Sequence, residues 1–177
     1  MLRFVWPRAG GDRRHEMAVR WAGDLLSILA VRVRCAGEPP PGGGEGAMIA
    51  ANHVSWADIF VIASVRHTRF IAKSEIRDWP LAGSLAERAG TIFVHRARRH
   101  DAARINSLVH EALASGECVG LFPEGTTTQG DRILKFHSSL FEAAVANRAR
   151  VYPVAVRYEH ADASPHRAAA YVGELTF

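Results

Sequence analysis

Ala47-Met48-Ile49-Ala50-Ala51-Asn52-His53-Val54-Ser55-Trp56-Ala57-Asp58-Ile59-Phe60-Val61-Ile62-Ala63 is the stretch whose reading decides the fold. Its first five residues are an unbroken apolar run of strand length, and its last five read as the start of a helix. Between them stand a histidine and, five positions on, an aspartate. A histidine at a strand end beside a helix start lies where open α/β sheets place their ligands. Histidine is also the side chain best suited to moving protons near neutrality. His53 is therefore a candidate general base, with Asp58 to orient it. A purely structural reading competes: Ser55 and Asp58 fit a capping box, with Ser55 as N-cap and Asp58 at N3. The two readings are compatible, because such a box would hold Asp58 in the first helical turn beside His53.

Outward from this stretch, strands and helices alternate. Residues 69–72, 91–94, 117–122 and 151–158 read as strands, and 169–177 as a further one. Residues 102–115 read as a helix with Ile105, Leu108, Val109, Ala112 and Leu113 as its apolar stripe, and 138–147 as another. Such alternation implies an α/β fold, a mostly parallel central sheet flanked by helices. Pro153 inside the apolar run Val151-Tyr152-Pro153-Val154 assigns that strand to an edge or a bulge.

The 177 residues fit one domain with a sizeable core. Net charge is +4 with an isoelectric point near 9.6, and nearly all the basic residues are arginine. That balance favours anionic partners such as phosphate-bearing substrates or anionic lipid. RNA-recognition, zinc-finger and helix-turn-helix signatures are absent, so a nucleic-acid partner is not expected. Cys35 and Cys118 lack metal-ligand spacing and read as buried or inert thiols in a reducing compartment. Residues 1–11 carry no apolar core of signal-peptide length, and the chain has no run of eighteen or more uncharged apolar residues.

Ahead of the first strand, residues 16–35 follow helical spacing, with Met17, Trp21, Leu25, Ile28 and Leu29 on one side and Arg13, Arg14, Arg32 and Arg34 flanking. This N-terminal amphipathic helix fits an interfacial helix whose arginines meet anionic headgroups. It equally fits a surface helix packed on the core. The Pro- and Gly-rich segment 37–46 is a linker. Residues 1–46 thus form a helix-and-linker unit, and 47–177 the main domain.

Three further segments carry chemistry. Phe122-Pro123-Glu124-Gly125-Thr126-Thr127-Thr128 follows a strand, and its turn residues, hydroxyls and free N–H groups suit an anion. Gly90-Thr91-Ile92-Phe93-Val94-His95-Arg96 closes another strand with the residue best shaped for bidentate phosphate. The last is Val151-Tyr152-Pro153-Val154. With Asn52-His53 and Asp58, these segments, in this order, resemble the four motif blocks of the glycerolipid acyltransferase family, over roughly residues 47–177. His95 stands before Arg96 where the family often has aspartate. Phe177 falls inside an expected strand where family members usually continue, which implies a fragment lacking a C-terminal element.

The resemblance implies transfer of a fatty acyl group from acyl-CoA or acyl-carrier protein to the free hydroxyl of a lysophospholipid. Lysophosphatidate is the default acceptor, and the run 125–139 resembles bacterial members for which a lyso-ornithine lipid is an alternative. It implies catalysis by His53 and Asp58, acceptor binding by Arg96, Glu124, Gly125 and Thr126, and no metal or cofactor beyond the donor. It also implies work at the cytoplasmic face of the inner membrane, held peripherally or monotopically. A membrane-associated lipid-binding module without turnover is the alternative from a different class. A hydrolase using Ser55 fits less well, because the Gly-x-Ser-x-Gly context is missing.

Overall fold

The computed structural model describes residues 11–42, 44–78, 83, 86–87, 90–94 and 99–166. Arg96 and the strand expected over 169–177 lie outside them. Five strands, β1 (Ala47–Ala51), β2 (Arg69–Lys73), β3 (Ile92–Val94), β4 (Cys118–Leu121) and β5 (Arg150–Val154), form one sheet in the order β3-β2-β4-β1-β5. Every pairing is parallel, as the alternation implies. Parallel neighbours need crossovers, and helices α1 (Gly11–Ile28), α2 (Asp58–Val65), α3 (Arg99–Ala114) and α4 (Glu142–Asn147) flank the sheet. The expected 138–147 helix begins as a 3-10 turn, Ser138–Phe141, before α4. Pro153 sits on β5, one of the two edge strands among the described residues, the kind of strand where proline is tolerated.

β1 is buried on both faces, which is why it reads as continuous apolar sequence instead of alternating. Met48 and Ala50 face one core with Val119, Leu121, Val109, Ala112 and Leu113; Ala47, Ile49 and Ala51 face the other with Ile62, Phe70 and Val156. The expected α3 stripe supplies the first of these cores. Gly120 makes the second possible: a Cβ there would lie 2.6 Å from the Phe70 ring, so only glycine lets that ring cross β4.

The N-terminal helix differs from its expected form. It runs Gly11–Ile28 and stops in a Schellman turn: Ala30 has φ 56°, its N–H donates to Ser27 O, and Val31 N–H donates to Leu26 O. Residues 31–35 are therefore not helical. Ala22 and Leu26, not the expected stripe, are its fully buried residues, and Trp21 meets Phe60 of α2 edge-on. Ile28 and Leu29 remain exposed. Leu26 is 1% exposed, so Leu26→Ala should destabilise the fold by about 2–5 kcal/mol, read as a lower denaturation midpoint. A midpoint within error of wild type would mean that α1 is not part of the core. Of the two cysteines, Cys118 is buried, which pushes its thiol up, and Cys35 is exposed.

Candidate active site

The five described strands point the same way, so their C-terminal ends share one edge, the edge where parallel sheets hold ligands. His53 leaves β1 at that edge, between the segments that follow β4 and β5. His53 Nδ1 lies 2.8 Å from Asp58 Oδ2, the imidazole 20% exposed and the carboxylate wholly buried. The same oxygen accepts the backbone N–H of Val54 at 2.7 Å and of Ser55 at 2.9 Å. A carboxylate oxygen that accepts two amides has no hydrogen to donate, so Nδ1 is the donor in this contact, and in the neutral imidazole Nε2 keeps its lone pair.

The expected capping box is half present. Asp58 reaches back to the Ser55 N–H as that motif requires, but the Ser55 hydroxyl accepts from Ala57 N, and α2 starts at Asp58 itself with no side-chain cap. Bringing Asp58 to the first helical position is what lets it serve His53 and the loop amides at once.

His53 is held through both its ring and its backbone. Phe122 stacks on it with centroids 3.9 Å apart, and Phe70 stacks in turn on Phe122. Glu124 Oε1 accepts the His53 N–H at 3.1 Å, and Thr128 N–H donates to His53 O at 2.8 Å. Glu124 Oε2 accepts Leu134 N–H at 2.8 Å, so the buried Glu124 carboxylate ties the 122–134 loop to the His53 backbone. Pro123 and Glu124 are the corner of a turn closed by Gly125 N–H on Phe122 O. Gly125 has φ 69°, a conformation that favours glycine, and Thr126 beside it is exposed.

The structural roles of two residues at the site escape sequence reasoning. Asn52 donates from Nδ2 to Val156 O at 3.1 Å and accepts Val156 N–H on Oδ1 at 2.7 Å, so its carboxamide stands in for the next rung of the β1–β5 ladder. Tyr158 donates to Asp58 Oδ1 at 2.7 Å. Burial, and then the neighbouring Asp58, push this phenol well above its ordinary value, so it stays a donor. The expected strand 151–158 ends at Val154, because Asn52 takes over the pairing.

Sheet and site together define an α/β protein with a hydrogen-bonded histidine–carboxylate pair at the C-terminal edge of its described strands. The model of the acyltransferase family matches residues 32–157, reaching back into the segment read as linker. The chain belongs to that family. It is 39% identical over 147 residues to the 1-acyl-sn-glycerol-3-phosphate acyltransferase of Neisseria meningitidis serogroup B, covering 83% of this chain and 57% of that protein. It is 44% identical over 145 residues to the protein of the same name from Neisseria gonorrhoeae, covering 82% and 56%. To the lyso-ornithine lipid O-acyltransferase of Pseudomonas aeruginosa it is 38% identical over 161 residues, covering 91% and 60%. The chain thus spans 56–60% of the length of these relatives. The crystal structure of the 1-acyl-sn-glycerophosphate acyltransferase of Thermotoga maritima superposes with a TM-score of 0.65 at 23% identity, over 78% of this chain and 55% of that one, which establishes the shared fold.

Proposed function

We propose that this chain transfers a fatty acyl group from a thioester to the free hydroxyl of a lysophospholipid, with His53 as general base. The observation that carries this reading is the His53–Asp58 pair: an imidazole fixed by a buried carboxylate, with Nε2 left to accept a proton. Nε2 takes the acceptor's hydroxyl proton as its oxygen attacks the thioester carbonyl. The tetrahedral intermediate then collapses, the C–S bond breaks, and the departing thiolate takes the proton back from the imidazolium. The acceptor supplies the nucleophilic oxygen, so no acyl-enzyme is required. Asp58 stabilises the imidazolium while the charge exists.

Arg96, Gly125 and Thr126 are the proposed acceptor-binding residues. Glu124 joins them by shaping the loop, since its two oxygens are occupied by loop amides. Arg96 follows β3 in the sequence, and its guanidinium, suited to bidentate phosphate, is assigned to the headgroup phosphate and not to the reacting hydroxyl. Arg96→Ala should therefore raise KM for a phosphorylated acceptor by more than it lowers kcat, whereas Arg98→Ala should do little. Equal effects at both positions would replace a specific phosphate site with a diffuse basic face.

Curated relatives bear both acceptor names, and lysophosphatidate, giving phosphatidic acid, is the first choice. The acyl donor is acyl-CoA or acyl-carrier protein. The acceptor resides in a bilayer, and no described helix is long and apolar enough to cross one. We therefore place the protein at the cytoplasmic face of the inner membrane, held at the surface by exposed apolar residues such as Ile28, Trp56, Ile133 and Phe136 beside Arg132 and Lys135. Mass spectrometry of products from a panel of lysolipids with both donors tests the assignment. An acylated lysophosphatidate supports it; lipid binding without product from any pair would leave a binding module.

A further inference from the structure

Tyr158 is unused by the mechanism above, yet 100 residues separate it from the carboxylate on which its hydroxyl rests. The contact depends on a built path. β5 ends at Val154, and the chain continues outside the ladder as a strap over 155–158. Asn52, the residue next to the base, grips that strap by both polar groups of the Val156 backbone. Val156 is itself buried in the same core as Ala51 and Ile49. The clamp fixes the strap two residues before Tyr158 and so fixes where the phenol lands.

At Asp58 the two oxygens have different duties. Oδ2 meets His53 and two backbone amides; Oδ1 meets Tyr158, its donor among the described residues. A donor on Oδ1 has two physical effects. It stops the carboxylate from turning about its Cβ–Cγ bond, which keeps Oδ2 in line with Nδ1. It also draws negative charge away from Oδ2, which moderates how tightly the pair holds a proton on the imidazole. A base that held its proton too tightly would surrender it slowly to the departing thiolate.

We propose that Tyr158 is a positioning residue for the His53–Asp58 pair, delivered to Asp58 by the Asn52 clamp, and that it tunes the basicity of His53 through the far oxygen of the carboxylate. The inference rests on the general-base reading of His53. Its test uses the whole chain with two substitutions at one position. Tyr158→Phe keeps the ring and removes the hydroxyl. It should lower kcat about tenfold, as expected for losing one hydrogen bond to a charged group, with little change in KM for the acceptor. It should also move the acid-side fall of kcat/KM to higher pH, because the unmoderated carboxylate holds the imidazolium more strongly.

Replacement of Tyr158 by 3-fluorotyrosine keeps the hydroxyl and makes it a stronger donor, so the protein folds even if the phenylalanine variant does not. There the acid-side fall should move to lower pH. Opposite displacements in the two proteins support the proposal. A pH profile unmoved in the fluorotyrosine protein overturns it, and so does a phenylalanine variant that loses kcat with its profile unmoved, since packing alone would give that result. Failure of the underlying reading looks different: it would show as retained activity in His53→Ala, whatever Tyr158 does.

Discussion

His53→Ala is expected to lower kcat by about 10²–10⁴-fold, the range associated with a positioned proton acceptor, while leaving KM for the acceptor within a few-fold. The fold should survive, because the Glu124 staple and the Thr128 contact engage the backbone of residue 53 and not its ring. What disappears is the imidazole between Phe122 and Asp58 and, with it, the lone pair that receives the hydroxyl proton. The measurement is single-turnover transfer at saturating acceptor, with circular dichroism to verify the fold. A loss confined to KM would move His53 from chemistry to binding.

Substitutions at Asp58 are expected to differ sharply from one another. Asp58→Ala strips the acceptor from the amides of Val54 and Ser55, in a buried loop, at a cost of about 1–3 kcal/mol for each group left unpaired. It also unties His53, so both stability and turnover should collapse. Asp58→Asn is subtler. The two amides force the new carboxamide to present its oxygen where Oδ2 was, and the Tyr158 hydroxyl can turn to accept from the new NH₂. The imidazole then keeps its productive tautomer, and only the charge is lost. A tenfold to hundredfold drop in kcat is expected, roughly the difference between a charged and a neutral acceptor, with near-normal thermal stability. A fall near 10⁴ would indicate a misoriented amide and the wrong tautomer, as in a serine-protease triad.

Much of this architecture is legible in the sequence for physical reasons. β1 is buried on both faces and so announces itself as a pure apolar run, and the helix immediately after it places Asp58 within reach of His53. The stripe of α3 and the proline of β5 are equally direct, because periodicity and a missing N–H act locally. Other features are not local. Tyr158 and Asn52 act across 100 or more residues, and nothing in Val151-Tyr152-Pro153-Val154-Ala155-Val156-Arg157-Tyr158 marks where apolar strand gives way to strap. Glu124 reads as a ligand-facing loop carboxylate, but its oxygens are taken by two backbone amides, which only the closed loop reveals. The end of α1 was hidden because Ala30 adopts the left-handed conformation at a position usually marked by glycine. The residue types that carry the chemistry were visible; the partners that hold them in place depend on the folded chain.

Chemical rescue tests the central claim most directly. The rate of acyl transfer from thioester donor to lysophosphatidate would be measured for His53→Ala with and without added imidazole, beside wild type. If His53 is the general base, the variant is nearly inert alone. Imidazole entering the space between Phe122 and Asp58 then restores part of the rate in a concentration-dependent manner. Transfer at close to the wild-type rate without imidazole would contradict the account.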